Sequence, residues 1–230
     1  MSHNENHLIQ LLGRVERKRL VDRCELVEMT LSEVLNEAAV RTRHVYFPTE
    51  GFVSLVVEVD GRPGLEVGMV GCEGMLGAEL LLGHSSARWR VVVQGSGRAW
   101  RLKAALFQDA LAESARLRQV VARYLAFRFE QLTLGAACER FHEIGPRLAR
   151  WLLMSQDRAE RDTFHVTQEF LAFMLGVRRV GVTVAAGALQ RQGLIGYHRG
   201  ELTVVNRAGL QQQACSCYES NLRVYERLVH

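Results

Sequence analysis

Two arginines and a threonine stand close together in VRRVGVT, residues 177–183. Arginine carries a rigid, permanently charged fork that can bond a guanine edge bidentately, and threonine can contact a phosphate or the methyl group of thymine. Arg178, Arg179 and Thr183 thus have the chemistry to read a duplex, each good bidentate pair being worth roughly 1–3 kcal/mol of discrimination. Upstream, Thr167 precedes a helical run and fits its N-cap, where the hydroxyl and the positive end of the helix dipole suit a backbone phosphate. Downstream, His198 and Arg199 fall at a hairpin tip and suit the same task.

Enzyme signatures fail. HEIGP (His142–Pro146) begins like the zinc-protease HExxH pattern, but Pro146 stands where the second histidine is needed. GSGRAW has Gly95 and Gly97 but Trp100 in place of a third glycine, and no Gly-Lys dipeptide exists for a phosphate loop. The five cysteines contain no CxxC pair, and the eight histidines show no paired ligand spacing. Cys215 and Cys217 make a CxC pair with the chemistry to bind a metal or react with oxidants, and are read in preference as two buried tail cysteines. The expectation is no enzyme and no metal.

Composition agrees with a globular chain, 48% hydrophobic and 23% charged. No run of about 18 apolar residues and no signal-peptide pattern is present, so the reading is a cytoplasmic protein without membrane association. Residues 140–210 hold ten arginines, no lysine and six acids, so the whole net charge of +4 lies there. An excess of that sign suits a polyanion.

The elements that must position these residues follow from periodicity. Phe170, Leu171, Leu175 and Val177, then Val182, Ala185, Ala186 and Leu189, mark two short helices. They break at Gly176, which can take the left-handed conformation that ends a helix. Ala172, Ala185 and Ala186 allow a close, steep crossing, the build of a helix-turn-helix. LIGYHRGELTVV (Leu194–Val205) reads as two strands around Gly200, a wing. Residues 5–37 read as short helices and an incoming strand near Leu26–Leu31. From Arg43 to Leu106, β-branched runs punctuated by glycine predict an antiparallel β-roll, with VDGRPG (Val59–Gly64) as a hairpin turn.

A helix of about thirty residues is predicted from Phe107. Its a/d set is Leu117, Val120, Tyr124, Phe127, Gln131, Leu134 and Cys138; a second face is Val121, Leu125, Phe129 and Leu132. Periodicity leaves open whether the first seam meets a partner chain or packs within this one. Another helix over His142–Arg158 starts a new domain, and the helical tail beyond Arg207 is read as packing back on it. The result is an α+β chain with an N-terminal jelly-roll-like β-roll (1–112), a long helix (113–140) and a winged helix-turn-helix (141–230).

This order of parts resembles the Crp/Fnr superfamily of bacterial transcription regulators. Thr167, Ala172, Gly176, Arg178, Arg179 and Leu194–Ile195 carry the resemblance, supported by VYFPTEGFVSLV and VGCEGMLG in the roll. It implies a cyclic-nucleotide-binding-like roll, a homodimer joined along the long helix with the a/d seam toward the partner, and a palindromic operator. It also implies RNA polymerase as a partner. The effector pocket would involve Glu73, Met75, Gly77, Arg88 and Arg90. Met75 replaces the ribose-binding glutamate of cyclic-AMP-binding members, and ARWRV lacks their Arg-Ser pair, so cyclic AMP is not expected. Arg88 and Arg90 alternate with Trp89 and would face another anion together. Only Cys24 lies where the iron-sulfur members cluster cysteines, so no such cluster is expected; another nucleotide, or no ligand, remains. Val180 and Val184 stand where well-known members place Glu and Arg, shifting base readout to Arg178 and Arg179. The alternative reading is a nucleotide-binding module whose winged helix contacts proteins.

Overall fold

Runs of β-branched and aromatic residues separated by turn formers favour pleated strands. The computed structural model describes residues 5–61, 64–159 and 161–229. Helices α1 (His7–Gln10) and α2 (Arg14–Val21) precede seven strands: β1 (Glu25–Met29), β2 (Val34–Asn36), β3 (His44–Pro48), β4 (Phe52–Val57), β5 (Leu65–Val70), β6 (Arg90–Gly95) and β7 (Gly97–Lys103). They pair antiparallel in two sheets, β1-β7-β3 and β2-β6-β4-β5. Met29, Val53, Leu55, Val70 and Val93 fill the space between the sheets. At the β4–β5 turn Asp60 and Gly61 take φ of 53° and 66°, the left-handed pair that an Asp-Gly turn supplies. Arg62 and Pro63 of the predicted turn lie outside the described residues.

The single helix predicted from Phe107 is two, α3 (Ala104–Glu113) and α4 (Ala115–Phe141). Ser114 leaves helical geometry at φ −122° and ψ 110°, and its hydroxyl accepts the Leu117 N–H at 3.0 Å, an N-cap that starts α4 afresh. The predicted partner seam is corrected. Leu117, Val120, Tyr124, Phe127, Gln131 and Cys138 are all buried within the single chain, and Leu134 is half-buried. Leu8, Leu12 and Val229 share a core with the first four of them, and Tyr225 stacks edge-on to Phe127 at 5.0 Å. The cause is the last helix, α9 (Cys217–Val229), which the sequence reading places on the C-terminal domain; its first turn packs there through Tyr218, and the rest runs back along α4. Gln131 sets no register between chains; its Oε1 accepts from Arg128 Nη1 at 2.5 Å. The face of α4 left open carries Ala122, Ala126, Phe129, Thr133 and Ala136.

The C-terminal domain comprises α5 (Ile144–Ala159), β8 (Thr163–His165), α6 (Gln168–Met174), α7 (Arg179–Arg191), β9 (Ile195–His198), β10 (Glu201–Val204) and α8 (Arg207–Gln213). Pro146 sits inside the first turn of α5, where its missing N–H would have had no helical partner. Leu148, Leu152, Leu171, Val182, Leu189 and Leu202 form the domain's core. The predicted wing hairpin gains a third strand, giving β8-β10-β9. Among the described residues no single helix is long and apolar enough to cross a membrane.

Helix α5 joins the two ends of the molecule. Phe52, Val56 and Met69 of the roll belong to the same core as α5, α6 and α7. Beside them, Trp151 Nε1 donates to Glu66 Oε1 at 3.0 Å, the Ser54 hydroxyl bonds the other carboxylate oxygen, and Arg158 pairs with Glu73 at 2.7 Å. Desolvation raises the Glu66 carboxyl from the ordinary 4.5 to about 7, and the bonds from Ser54 and Trp151 offset it only in part.

A carboxyl whose folded pKa is raised leaves stability undisturbed below its unfolded value. The charged form then erodes that stability as pH climbs to the folded value, and the loss is constant above it. We predict that Glu66→Gln becomes progressively more stable relative to wild type between about pH 4.5 and 7, the gain in unfolding free energy reaching at most about 3 kcal/mol and appearing as a widening difference in Tm. Parallel melting curves across that range would show that Glu66 ionises freely.

Candidate nucleic-acid interface

Thr167 caps α6 as its position suggests, accepting the Phe170 N–H at 3.1 Å with extended backbone at the cap. Helix α6 ends at Gly176, φ 62°, where the Val177 N–H returns to the Ala172 carbonyl at 3.0 Å. Helix α7 then departs at 110° to α6, within the range of helix-turn-helix crossings. Ala172, Ala185 and Ala186 are buried at the crossing. A further clamp was not legible in the sequence. Arg147 of α5, 5% exposed, donates to the Leu175 carbonyl at 2.5 Å and also pairs with Glu139 of α4. One guanidinium thus holds the turn to the long helix.

Val182, Ala186 and Leu189 anchor α7 inward, while Arg178, Arg179, Val180, Thr183 and Val184 stand exposed at its N-terminal half. Arg178 is the N-cap residue and Arg179 the first helical one. The Thr183 hydroxyl donates to Gln168 Oε1 at 2.6 Å. Gln168 is therefore drawn onto the same face with its amide nitrogen available to donate, a residue that sequence reasoning missed because nothing local marks it. Val180 and Val184, each about two-thirds exposed, put apolar surface beside Thr183, the kind that suits thymine methyls.

The wing tip is a two-residue turn. His198 pairs with Glu201, and between them Arg199 and Gly200 take φ of 50° and 85°. Both central residues are left-handed, as a tight hairpin turn requires, and Arg199 is presented outward at the tip. Tyr197 on β9 ties the wing to the helix-turn-helix by donating to the Val166 carbonyl at 2.7 Å, and the charge of Arg179 is felt at its phenol. Among the described residues Arg178, Arg179 and Arg199 form no ion pair, so three uncompensated cations face solvent from α7 and the wing.

A second concavity lies between the roll and α4. It encloses about 270 Å³ and is lined by Tyr46, Leu55, Met75, Leu76, Gly77, Trp89, Tyr124, Leu125, Phe129 and others. Of the predicted effector residues, Met75 and Gly77 line it. Glu73 does not, being held by Arg158, and its carbonyl receives the Tyr225 hydroxyl at 2.8 Å. Arg88 is exposed and Arg90 lies 3.7 Å from Glu58. The expected strand alternation is corrected: Arg88 and Trp89 lie in a bend before β6, which begins at Arg90, and it is Trp89 that lines the cavity while Arg88 faces solvent. Arg128 and His44 are the basic groups on the lining. His44 is held below its ordinary pKa by burial and by the charges of Arg101 and Lys103, which favours the neutral ring. Arg128 is engaged with the Met69 carbonyl at 3.2 Å and with Gln131. Cys138 and His142 come together with Cys215 and Cys217, two local pairs that nothing in the intervening sequence links.

Residues 146–213 match a family model described as the Crp-like helix-turn-helix domain. Whole-chain structural similarity extends to a transcriptional regulator of the Crp/Fnr family from Eubacterium rectale (TM-score 0.70, 15% identity, 90% of this chain and 97% of that one). It extends as well to the c-di-GMP-responsive global regulator CLP of Xanthomonas campestris (0.67, 18%, 84% and 99%). A CRP-family transcriptional regulator from Thermus thermophilus is similar too (0.67, 22%, 82% and 96%). No curated protein sequence matches the chain.

The turn geometry makes a specific demand of Gly176. A side chain there would be strained at φ 62°, and its Cβ would sit 2.8 Å from Leu65 Cδ1 of the roll. We predict that Gly176→Ala lowers unfolding stability by about 1–2 kcal/mol. Thr167→Ala should cost about 1 kcal/mol through the lost cap. Urea titration reads both, and an unchanged midpoint for Gly176→Ala would mean that the turn relaxes without cost.

Proposed function

We propose that this chain, which carries a Crp-like helix-turn-helix domain on the fold of the Crp/Fnr regulators, is a sequence-specific transcription regulator that binds a palindromic operator as a homodimer. The observation that supports this best is the exposed, unpaired arginine pair at the start of α7, beside a wing that offers a third cation. Arg178, Arg179 and Thr183 read base edges in the major groove, with Gln168 and the two valines beside them. Thr167, His198 and Arg199 hold phosphates and set the register. Such a protein works in the cytoplasm, where its DNA lies. Contact with RNA polymerase follows from the resemblance alone.

Dimerisation uses the open face of α4. Ala122, Ala126, Phe129, Thr133 and Ala136 recur at spacings of four and three, small enough for two helices to approach closely, and Phe129 is 73% exposed. Leu125, Phe129 and Leu132 also rim the cavity, so a second copy docked here would close it. Ligand binding and helix pairing are coupled in this arrangement, and an effector that prefers one pairing shifts the recognition helices.

The cavity's chemistry supports a weakly polar effector. A cyclic phosphate buried there would need a counter-charge, and the nearest guanidinium, Arg128, is already engaged. The similar Xanthomonas regulator responds to c-di-GMP, whose two phosphates make a still larger demand.

Selection of operators from random duplexes at one stated salt concentration tests the reading, with a palindrome as the expected product. Arg178→Ala and Arg179→Ala should each lose roughly tenfold to a hundredfold in discrimination while the fold is retained. Arg199→Ala should weaken binding evenly across sequences and lower the salt slope by about one. Affinity indifferent to all three substitutions would overturn the DNA reading in favour of protein contacts by the winged helix. Separately, Phe129→Glu should leave a folded monomer in sedimentation, and a persistent dimer would place the interface elsewhere.

A further inference from the structure

Three of the five cysteines form a cluster of their own. Cys138 in the last turn of α4 meets Cys215 and Cys217 from the α8–α9 junction, all buried, in a small cluster apart from the main cores. His142, the C-cap of α4, completes the group, and one donor atom from each of the four lies within 4.8 Å of every other. Cys138 Sγ is 3.6 Å from Cys215 Sγ, and Cys217 Sγ is 3.6 Å from His142 Nδ1.

Those separations fit a tetrahedron. With metal–sulfur bonds of about 2.3 Å and metal–nitrogen bonds of about 2.0–2.1 Å, two ligand atoms of a tetrahedral ion stand roughly 3.5–3.8 Å apart. A disulfide would need its sulfurs at about 2.05 Å, and Cys138, Cys215 and Cys217 are present as thiols. Four donors gathered this tightly surround one ion and leave no room for bridging sulfides. Three soft thiolates and one imidazole in a closed tetrahedral set select Zn²⁺ over the hard cations. Local chelation is good on both sides, with Cys138 and His142 four apart at a helix end and Cys215 and Cys217 two apart in a turn. Three thiolates, a neutral imidazole and Zn²⁺ would carry one net negative charge. Arg150 of α5 is near enough for its positive charge to act on all three sulfurs.

We propose that Cys138, His142, Cys215 and Cys217 form a mononuclear structural zinc site that fastens the α4–α5 hinge to the α8–α9 junction. Loading replaces the three thiol protons by one Zn²⁺. The site locks where the long helix hands over to the DNA-binding domain, and the Cys215 N–H already reaches the Pro146 carbonyl of α5 at 3.3 Å. Zinc therefore braces the orientation of α5, and through Arg147 the helix-turn-helix.

The test uses the full chain, purified under reducing conditions, loaded with Zn²⁺ and dialysed. Elemental analysis should find about one zinc per chain, and cobalt substitution should give thiolate charge-transfer and intense tetrahedral visible bands. Cys215→Ser combined with Cys217→Ser should abolish both signals, while Cys24→Ser with Cys72→Ser should leave them unchanged. If the first double variant does not fold, alkylation of the wild type decides. Added Zn²⁺ should protect Cys138, Cys215 and Cys217 but not Cys24 or Cys72, as mapped by mass spectrometry. Dialysed protein without zinc and with unprotected thiols overturns the proposal. A Cys138–Cys215 disulfide in metal-free protein also overturns it, in favour of a thiol switch. None of these readouts depends on DNA binding.

Discussion

The structure depends on covering one stripe of α4. Leu117, Val120, Val121, Tyr124 and Phe127 lie on it, each at most 3% exposed. At about 1.5–3 kcal/mol per buried large side chain, the stripe contributes on the order of 10 kcal/mol, as much as the net stability of a whole domain. Beside Phe47, Met75, Leu102 and Phe107 from the roll and α3, two elements distant in sequence help cover it, the N-terminal Leu8 and Leu12 and the C-terminal Tyr225 and Val229. The chain's ends are therefore brought to its middle. That return is also what carries Cys215 and Cys217 to Cys138.

With that stripe buried internally, the opposite face of α4 and the cavity beside it become the surfaces that can respond. The cavity opens toward Phe129 and Leu132, not toward the interior. Its walls are mostly aromatic and aliphatic, with Asn36, Thr42, His44 and Glu79 among them, and Arg128 is spent on the backbone of β5 and on Gln131. Under the proposed reading an effector in the cavity and a second copy on α4 would share Leu125, Phe129 and Leu132, so that a change at one would be felt at the other without a long chain of intermediates.

Helix α5 links the remaining parts by polar contacts of low redundancy. Arg158 to Glu73 and Trp151 to Glu66 hold it to the roll, while Arg147 joins Glu139 of α4 to the carbonyl that ends α6. Each is a buried or half-buried charge with few partners, so removing one leaves the other costly to keep in place. These contacts give the helix-turn-helix end a defined seat against the roll, and the four Cys and His donors lie at the same hinge.

Much of this was legible in the sequence. The two helices around Gly176, the Thr167 cap, the Asp60-Gly61 turn and the wing at Gly200 all depend on residues within about ten positions of one another, where periodicity and backbone preference act directly. The outward display of Arg178, Arg179 and Thr183 followed from that local geometry. What only the tertiary structure decided is which surface each face meets. Helix α4 has two apolar faces of similar quality, and periodicity cannot say that α9 returns to cover one of them. Local pattern reads Arg88, Trp89 and Arg90 as one strand, and only the closed roll puts the first two in a bend with the tryptophan against the cavity. Glu73 finds Arg158 85 positions along the chain, and Cys138 finds Cys215 77 positions along. Such pairings are set by packing of the whole chain, because the free energy of burial depends on total area covered and leaves no mark in local spacing.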